Sequence, residues 1–459
     1  LTERSPEASP PLQSLDDLLT LFWAAAKPRD AWRIGTEAEK VGVYEAHGGA
    51  VPFLGDRGVA RVLAALVDAH GWTPEPPEVE GAPVIALRRG GASITLEPGA
   101  QLELSGAPVV SIHETYAEFR AHVTELRDVS ADLGIVWLGL GFHPFARRED
   151  LSWVPKTRYP IMREYLPTRG GHALDMMLRT CTVQANFDYG SPEDGFRKLR
   201  VALRLSPIVQ GMFANSPFVE GRATGERSHR ARVWLDVDPD RSGLLPFLWR
   251  DEATLDDYVQ WLLDVPMFLV KRPGRVLRNT GQTFRAFWRD GFEGERATVA
   301  DWEMHVNTVF PEVRLKRTLE VRSADAQGNA YLCALPALWT GLLYDDQALA
   351  RAESLASRIP PDAALAARPA IADHALSAEL AGRPLTRWAV DLLEIAESGL
   401  ARRGYTNASG KDERVHLERL RALVEAGRSP ADELLDHVKE GMVASGRSLV
   451  AEVIAAAAL

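Results

Sequence analysis

The chain has 459 residues, 46% of them hydrophobic and 25% charged, with a formal net charge of −10. That size supports a large core and one to about three domains. The acidic balance argues against a general nucleic-acid or anionic-membrane binder, and no partner protein is implied. No run of about 18 apolar residues occurs, so no membrane span is expected; two cysteines, Cys181 and Cys333, exclude a disulfide framework and point to a reducing cytoplasm.

Residues 1–14, rich in Pro and acid, read as a loose tail without the basic-then-apolar pattern of a signal peptide. Ser14-Leu-Asp-Asp caps a helix running to about Lys27. A strand begins at Arg33 and reaches Val43. Residues 58–70 place Val59, Val62, Leu63, Leu66 and Val67 on one helical face. "VIALRRGGASITLEP" reads as a hairpin turning at Gly90-Gly91. A long helix spans 111–133, "GIVWLGLGFHP" follows as a buried strand, and 193–213 is again helical. Helices and strands then alternate to about Val321, and from Leu332 the pattern is nearly all helical. We divide the chain into a tail (1–14), a catalytic body (15–345) and a C-terminal helical region (346–459) packed on it. Strand pairs interrupted by long helices indicate an α/β or α+β fold.

Common motifs are absent. No GxxxxGK[ST], HExxH or CxxC occurs, and "GLGFHP" has Pro144 where GxGxxG needs its third glycine. "DVDPDRSG" opens like a calcium loop, but Arg241 and Phe247 occupy the positions that need glycine and glutamate. Both cysteines sit in apolar surroundings without a local histidine, which disfavours a cysteine nucleophile.

The informative signal is period-two polarity. Glu37 and Glu39 share one face of a strand. Glu97, Gln101 and Glu103 share a parity in "TLEPGAQLELSG". In "CTVQANFD" Thr182, Gln184, Asn186 and Asp188 alternate with apolar residues, and in "EVRLKRTLEVRSAD" Arg314, Lys316, Thr318, Glu320 and Arg322 do the same. Any one such strand could simply face water. Together, with their apolar halves on a core, they would line one polar sheet surface. Five carboxylates there repel one another unless a hard cation joins them. Acids beside Arg314, Lys316 and Arg322 fit magnesium with a nucleotide phosphate. Arg230, Arg232 and Trp234 share a parity in "SHRARVWLDV", a possible strand that could bind a carboxylate or stack a base, or lie on the surface.

Eight ordered blocks, "IGTEAEKVGVY", "ITLEPGAQLELSGAP", "YPIMREYLP", "LDMMLRTCTVQANFDY", "FANSPFVEGR", "RVWLDVDPDRSGLLPF", "FPEVRLKRTLEVRSAD" and "LCALPALWTGLLYDD", resemble the plant-type glutamate–cysteine ligases, which also occur in bacteria. The resemblance implies an α+β fold similar to glutamine synthetase: a curved, mostly antiparallel sheet forming a funnel, helices behind, and a C-terminal helical cover. It implies L-glutamate, L-cysteine and ATP as small-molecule substrates, with two or more Mg2+ ions. Glu37, Glu39, Glu97, Glu103 and Glu320 match acidic, metal-holding positions. Gln184, with Asn186 on its face, matches a metal or nucleotide contact, Arg322 an arginine at the γ-phosphate, and Arg230 a substrate or phosphate contact. Glu320 and Arg322 are the expected catalytic pair, and Trp234, Arg314 and Lys316 are expected to bind substrate or nucleotide. Plant members carry extra cysteine pairs for redox control; with only two cysteines this chain is not expected to share that switch. Residues 218–230 are a candidate lid or an ordinary surface loop. Rival readings are a same-fold ligase for another amine, a magnesium-dependent phosphotransferase, and a non-catalytic binding protein.

Overall fold

Strict alternation in "IGTEAEKVGVY" builds the longest strand, β1 (Ile34–Tyr44), in which Ile34, Thr36 and Ala38 are buried while Glu37 and Glu39 are half-buried on the other face. The computed structural model describes residues 9–78 and 81–459. In them β1 lies within a nine-stranded sheet with β2 (Thr73–Pro74), β3 (Ala86–Arg89), β4 (Ala92–Leu96), β5 (Leu102–Ser105), β6 (Ile135–Leu138), β7 (Val183–Phe187), β8 (Val313–Leu315) and β9 (Leu319–Val321), and pairs directly with three of these strands, β5, β6 and β7. The order is β8-β9-β7-β1-β5-β4-β3-β2, with β6 on the C-terminal part of β1, and neighbours are antiparallel. The hairpin expected at Gly90-Gly91 joins β3 to β4.

The inward halves of these strands form the core. Ile94, Leu96, Leu102, Leu104, Val183, Phe187, Leu315 and Leu319 are all buried, and each large aliphatic side chain so placed stabilises the fold by about 1.5–3 kcal/mol. Helix Ala334–Leu343 packs on β7 and β1, and helix Leu385–Arg403 packs on that helix in turn. Their approach requires glycine: a Cβ on Gly399 would lie 1.9 Å from the carbonyl oxygen of Gly341. Helix Pro192–Met212 covers β8 and β9. The α+β architecture thus leaves one sheet face for the site and backs the other with helices.

Several expectations change. Residues 1–8 lie outside the described residues, but 9–14 are not a loose tail: Leu12 is buried, its amide donates to the Ala297 carbonyl (2.9 Å), and Trp288 Nε1 donates to the Leu12 carbonyl (3.2 Å). The first helix, Leu15–Trp23, has the expected Ser14–Asp17 capping box but stops short of Lys27, whose Nζ reaches Asp188 at 2.7 Å. The strand expected through "GIVWLGLGFHP" is only Ile135–Leu138. "TLEPGAQLELSG" is two strands, not one: Ala100 N donates to Glu97 O and Glu97 N to Gln101 O, both at 2.9 Å, closing a turn between β4 and β5. Gly99 is needed there because a Cβ would sit 2.3 Å from the Leu178 carbonyl oxygen. The C-terminal region is helical as expected, apart from a small hairpin of Glu379–Leu380 and Arg383–Pro384.

Cys181 is fully buried in a small apolar cluster with Val41, Leu138 and Phe218, and burial holds its thiol well above the usual range. Cys181→Ser puts an unpaired hydroxyl there and should cost about 1–3 kcal/mol in urea unfolding while leaving substrate-dependent turnover of the folded fraction near the parent value.

Candidate active site

The register across β1 assembles the polar face. Glu39 lies opposite Glu103 on β5, which lies opposite Thr95 on β4; Glu37 lies opposite Gln184 on β7 and Ser105 on β5. One rung away, Arg314 faces Glu320 across the β8–β9 hairpin, and Glu320 faces Asn186. Opposed residues share a face, so side chains as far apart in sequence as Glu37 and Glu320, 283 positions, reach one basin. The basin has a volume of about 570 Å³ and is lined by Glu37, Glu39, Glu97, Glu103, Gln184, Arg314, Lys316, Glu320 and Arg322.

The five acids are not equivalent. Glu320 Oε2 accepts from Arg314 Nε at 2.6 Å and lies 3.4 Å from Lys316 Nζ; Oε1 accepts from Arg322 Nη1 at 3.1 Å. Burial opposes its ionisation, but the three cations prevail and hold its carboxyl well below the usual range. Both oxygens are therefore engaged by the protein, so Glu320 anchors Arg322 rather than standing open as a ligand. Gln184 Oε1 accepts a further bond from Arg322 Nη1 at 2.7 Å. Glu39 and Glu103 behave oppositely. Burial first, then Glu97 and Glu103, pushes Glu39 well up; burial, then Glu37 and Glu97, pushes Glu103 up to about 8. Glu37 is also raised, by burial and then Glu320. Asn186 does not line the basin: its Nδ2 donates to Glu37 Oε1 at 2.8 Å and its Oδ1 accepts from Thr318 at 3.0 Å, bracing Glu37 from behind. Among the described residues no group of three or more His, Cys, Asp or Glu is arranged to hold a metal ion, so the acids are not a preformed cage.

A second, narrower chamber of about 110 Å³ adjoins the basin, sharing Glu39, Glu97, Arg158, Asn307, Phe310 and Arg322 with it. Its walls include Tyr159, Met162, Met176, Met177, Arg230, Trp234 and Phe268. Here the expected strand is a short helix, His229–Val233. Ser228 caps it by accepting from Ala231 N, and helical spacing of four brings Arg230 and Trp234 to one side. Arg232 turns away to Asp373 and Glu226. Arg230 Nη2 donates to the Arg322 carbonyl at 2.9 Å; its Nε and Trp234 Nε1 are buried without a partner.

Other residues depart from the sequence pattern. Gln101 has the parity of the acids but braces the turn, accepting from Gly99 N at 2.8 Å and donating to the carbonyls of Met177 (3.2 Å) and Thr180 (3.1 Å). Asp188 lies past the end of β7 and pairs with Lys27. Of the loop proposed as a lid, 218–230, only its last residue, Arg230, lines a chamber; Arg227 ties the loop to Asp432, and the Arg227 and Ser228 amides donate to the Ala372 carbonyl. Lys156, Arg158 and Asn307 line the basin but lie in connections without period-two spacing, and Phe310, which lines it too, opens a strand of two residues, too short for alternation to mark it.

Comparison with known proteins extends this geometry. Residues 33–452 match glutamate-cysteine ligase family 2. The chain is 41% identical to the chloroplastic glutamate–cysteine ligase of Brassica juncea, covering 95% of this chain and 83% of that protein. The counterpart from Arabidopsis thaliana is 42% identical, with 95% and 81% covered, and that from Medicago truncatula 40% identical, with 95% and 84% covered. The crystal structure of a glutamate–cysteine ligase from Francisella tularensis in complex with AMP shares the fold: TM-score 0.52 at 13% identity, covering 93% of this chain and 87% of that one. Sheet, basin and comparisons together define an enzyme of the ligase class. The chain belongs to the glutamate–cysteine ligase family. The cytoplasmic location expected from the cysteine count is overturned by these relatives, which are chloroplastic; few cysteines report on disulfide use and do not identify a compartment.

The raised acid on Glu103 has a definite sign. Between its unfolded value near 4.5 and about 8, the folded chain keeps a proton that the unfolded chain has lost, so this residue makes stability fall as pH rises through that window. Denaturation of metal-free protein from pH 5 to 8 should show that decline, and Glu103→Gln should flatten it. Parallel pH curves for the two proteins would contradict the assignment.

Proposed function

We propose that the protein joins the γ-carboxylate of L-glutamate to the amine of L-cysteine at the expense of ATP, giving γ-glutamylcysteine, ADP and phosphate, the first step towards glutathione. The observation that carries this reading is the division of one sheet face into an acid-rich side (Glu39, Glu97, Glu103) and an arginine-rich side (Arg314, Lys316, Arg322) around a common basin. Its volume, about 570 Å³, lies within the roughly 300–1,000 Å³ usual for ligands of nucleotide size.

The donor set suits magnesium. Burial and the neighbouring acids push Glu39 well up and Glu103 up to about 8, so the charged forms are disfavoured, and a hard dication relieves both costs. Magnesium typically takes one or two carboxylates together with substrate phosphate oxygens, so acids that stop short of a closed cage fit it. Glu39, Glu97 and Glu103 would hold it, with Glu37 nearby. Bound there, magnesium neutralises phosphate charge. Glu320 acts differently. It keeps Arg322 extended beside Gln184, so that the guanidinium is preorganised for the transferring phosphoryl group.

The narrow chamber fits an amino-acid substrate. Arg230 Nε and Trp234 Nε1 are unpaired donors suited to a carboxylate, and the methionine and aromatic wall suits a short apolar or thiol side chain. The γ-carboxylate of glutamate would attack the γ-phosphorus to form γ-glutamyl phosphate, whose acyl carbon then takes the cysteine amine. Burial of the basin limits hydrolysis of that acyl phosphate.

The test is ADP release with each substrate withheld. Release should require glutamate and rise further with cysteine. Release without either indicates a phosphotransferase or ATPase, and an equal response to other amines indicates a different acceptor. Arg322→Ala should lower kcat by roughly 10²–10³-fold with a smaller change in KM, the pattern of a lost transition-state donor. A loss confined to KM would reject that role.

A further inference from the structure

One buried carboxylate stands behind the narrow chamber without entering it. Asp325, three residues after Arg322, is 1% exposed and lines neither chamber. Its Oδ2 accepts from the Asn215 amide at 2.8 Å and from Ser216 Oγ at 2.7 Å; its Oδ1 accepts from Ser228 Oγ at 2.8 Å. Gly141 of "GLGFHP" makes room for it, since a Cβ there would lie 2.4 Å from the Asp325 carboxyl carbon.

The two hydroxyls pass this hold on to the helix His229–Val233. Each serine has one hydroxyl proton, and Asp325 takes both, which leaves the oxygen lone pairs free to accept. Ser216 Oγ accepts from the Arg230 amide at 3.1 Å, and Ser228 Oγ from the Ala231 amide at 3.0 Å. Through these two relays the carboxylate fixes the start of the helix that carries Arg230, with Trp234 just after it, into the chamber wall. It also serves Arg230 directly. Among the described residues Asp325 is the only carboxylate in an ion pair with that guanidinium, at 4.0 Å from Nη1. At that distance it offsets the charge without occupying an N–H. Nη1 and Nη2 donate to the carbonyls of Ser323 (3.3 Å) and Arg322 (2.9 Å), and Nε is left uncommitted.

We propose that Asp325 is a positioning residue for the amino-acid substrate of the narrow chamber. It holds the Arg230 helix through Ser216 and Ser228, and it supplies the countercharge that keeps Arg230 in the wall with Nε open to a ligand carboxylate. This rests on the reading above that Arg230 meets a substrate carboxylate there. The nearly isosteric change Asp325→Asn exposes what the arrangement needs. Its oxygen can keep Asn215 and Ser216, but its amide nitrogen then faces Ser228 and Arg230, where two donors already point. The Ser228 proton loses its acceptor and Arg230 its countercharge.

A cycle of Asp325→Asn, Arg230→Met and the double variant in the full chain decides the matter, with KM for L-glutamate, L-cysteine and ATP taken from ADP release. Arg230→Met should raise the KM of one amino acid and so identify the occupant. Asp325→Asn should raise that same KM roughly tenfold, leave the KM of ATP within about twofold, and add little to Arg230→Met in the double variant. A merely structural carboxylate would lower stability and leave that KM alone. Unchanged KM in folded Asp325→Asn, equal rises for all three substrates, or full additivity overturns the proposal while the reading of Arg230 stands. If Arg230→Met raises neither amino-acid KM, the reading fails and the proposal falls with it. Arg230→Met leaves Asp325 buried without a partner charge; should it not fold, the double variant, which removes both charges, identifies the occupant instead. Should Asp325→Asn not fold, Ser228→Ala decides: it keeps both charges, removes one relay and should raise the same KM about threefold, and an unchanged KM overturns the proposal.

Discussion

The register of β1 between β5 and β7 is the constraint on which the site depends. Side chains on a strand alternate strictly, so a slip by one residue would carry Glu37 and Glu39 into the core and Ala38 and Lys40 into the basin. Glu39 opposite Glu103, and Glu37 opposite Gln184, are consequences of backbone hydrogen bonds that the carboxylates themselves oppose. The inward residues Ile34, Ala38, Leu102, Leu104, Val183 and Ala185 hold the strands in place. Apolar burial on one face thus maintains charge repulsion on the other, and the repulsion remains available to a ligand.

Charge is graded across the sheet. The β8–β9 hairpin carries Arg314, Lys316 and Arg322 with a single enclosed acid, Glu320. β7 contributes the neutral amides Gln184 and Asn186, each bonded to an ionisable group at its side: Gln184 to Arg322, Asn186 to Glu37. β1, β4 and β5 bring the remaining acids. A strand of amides between the two signs keeps Arg322 from collapsing onto Glu39, where the pair would neutralise each other and leave nothing for phosphate or metal. Net attraction to a nucleotide bearing a dication follows from separation of charge along the strand order, since acids and bases are both present in excess of their internal pairs.

Much of this was legible because strand periodicity is a local property. Glu37, Glu39, Glu103, Gln184, Arg314, Lys316, Glu320 and Arg322 reach the basin along the faces that alternation predicts. The same rule misassigned Gln101, because parity continues through a tight turn while the side chain is free to fold back on it. It also took Arg230 and Trp234 for neighbours on a strand, when a spacing of four on a helix brings them together. Lys156, Arg158 and Asn307 were invisible, since they sit in connections whose course depends on what they pack against. The inequality of the acids was hidden as well: nothing in the spelling of "RTLEVRSAD" distinguishes a carboxylate enclosed by three cations from one facing its own kind.

Gln101 links the two chambers mechanically. One amide side chain holds the backbone of the turn that carries Glu97 and, through its other end, the carbonyls of Met177 and Thr180 in the wall of the narrow chamber. A tether of three hydrogen bonds through one side chain therefore joins the methionine-lined wall to the turn that bears the carboxylate.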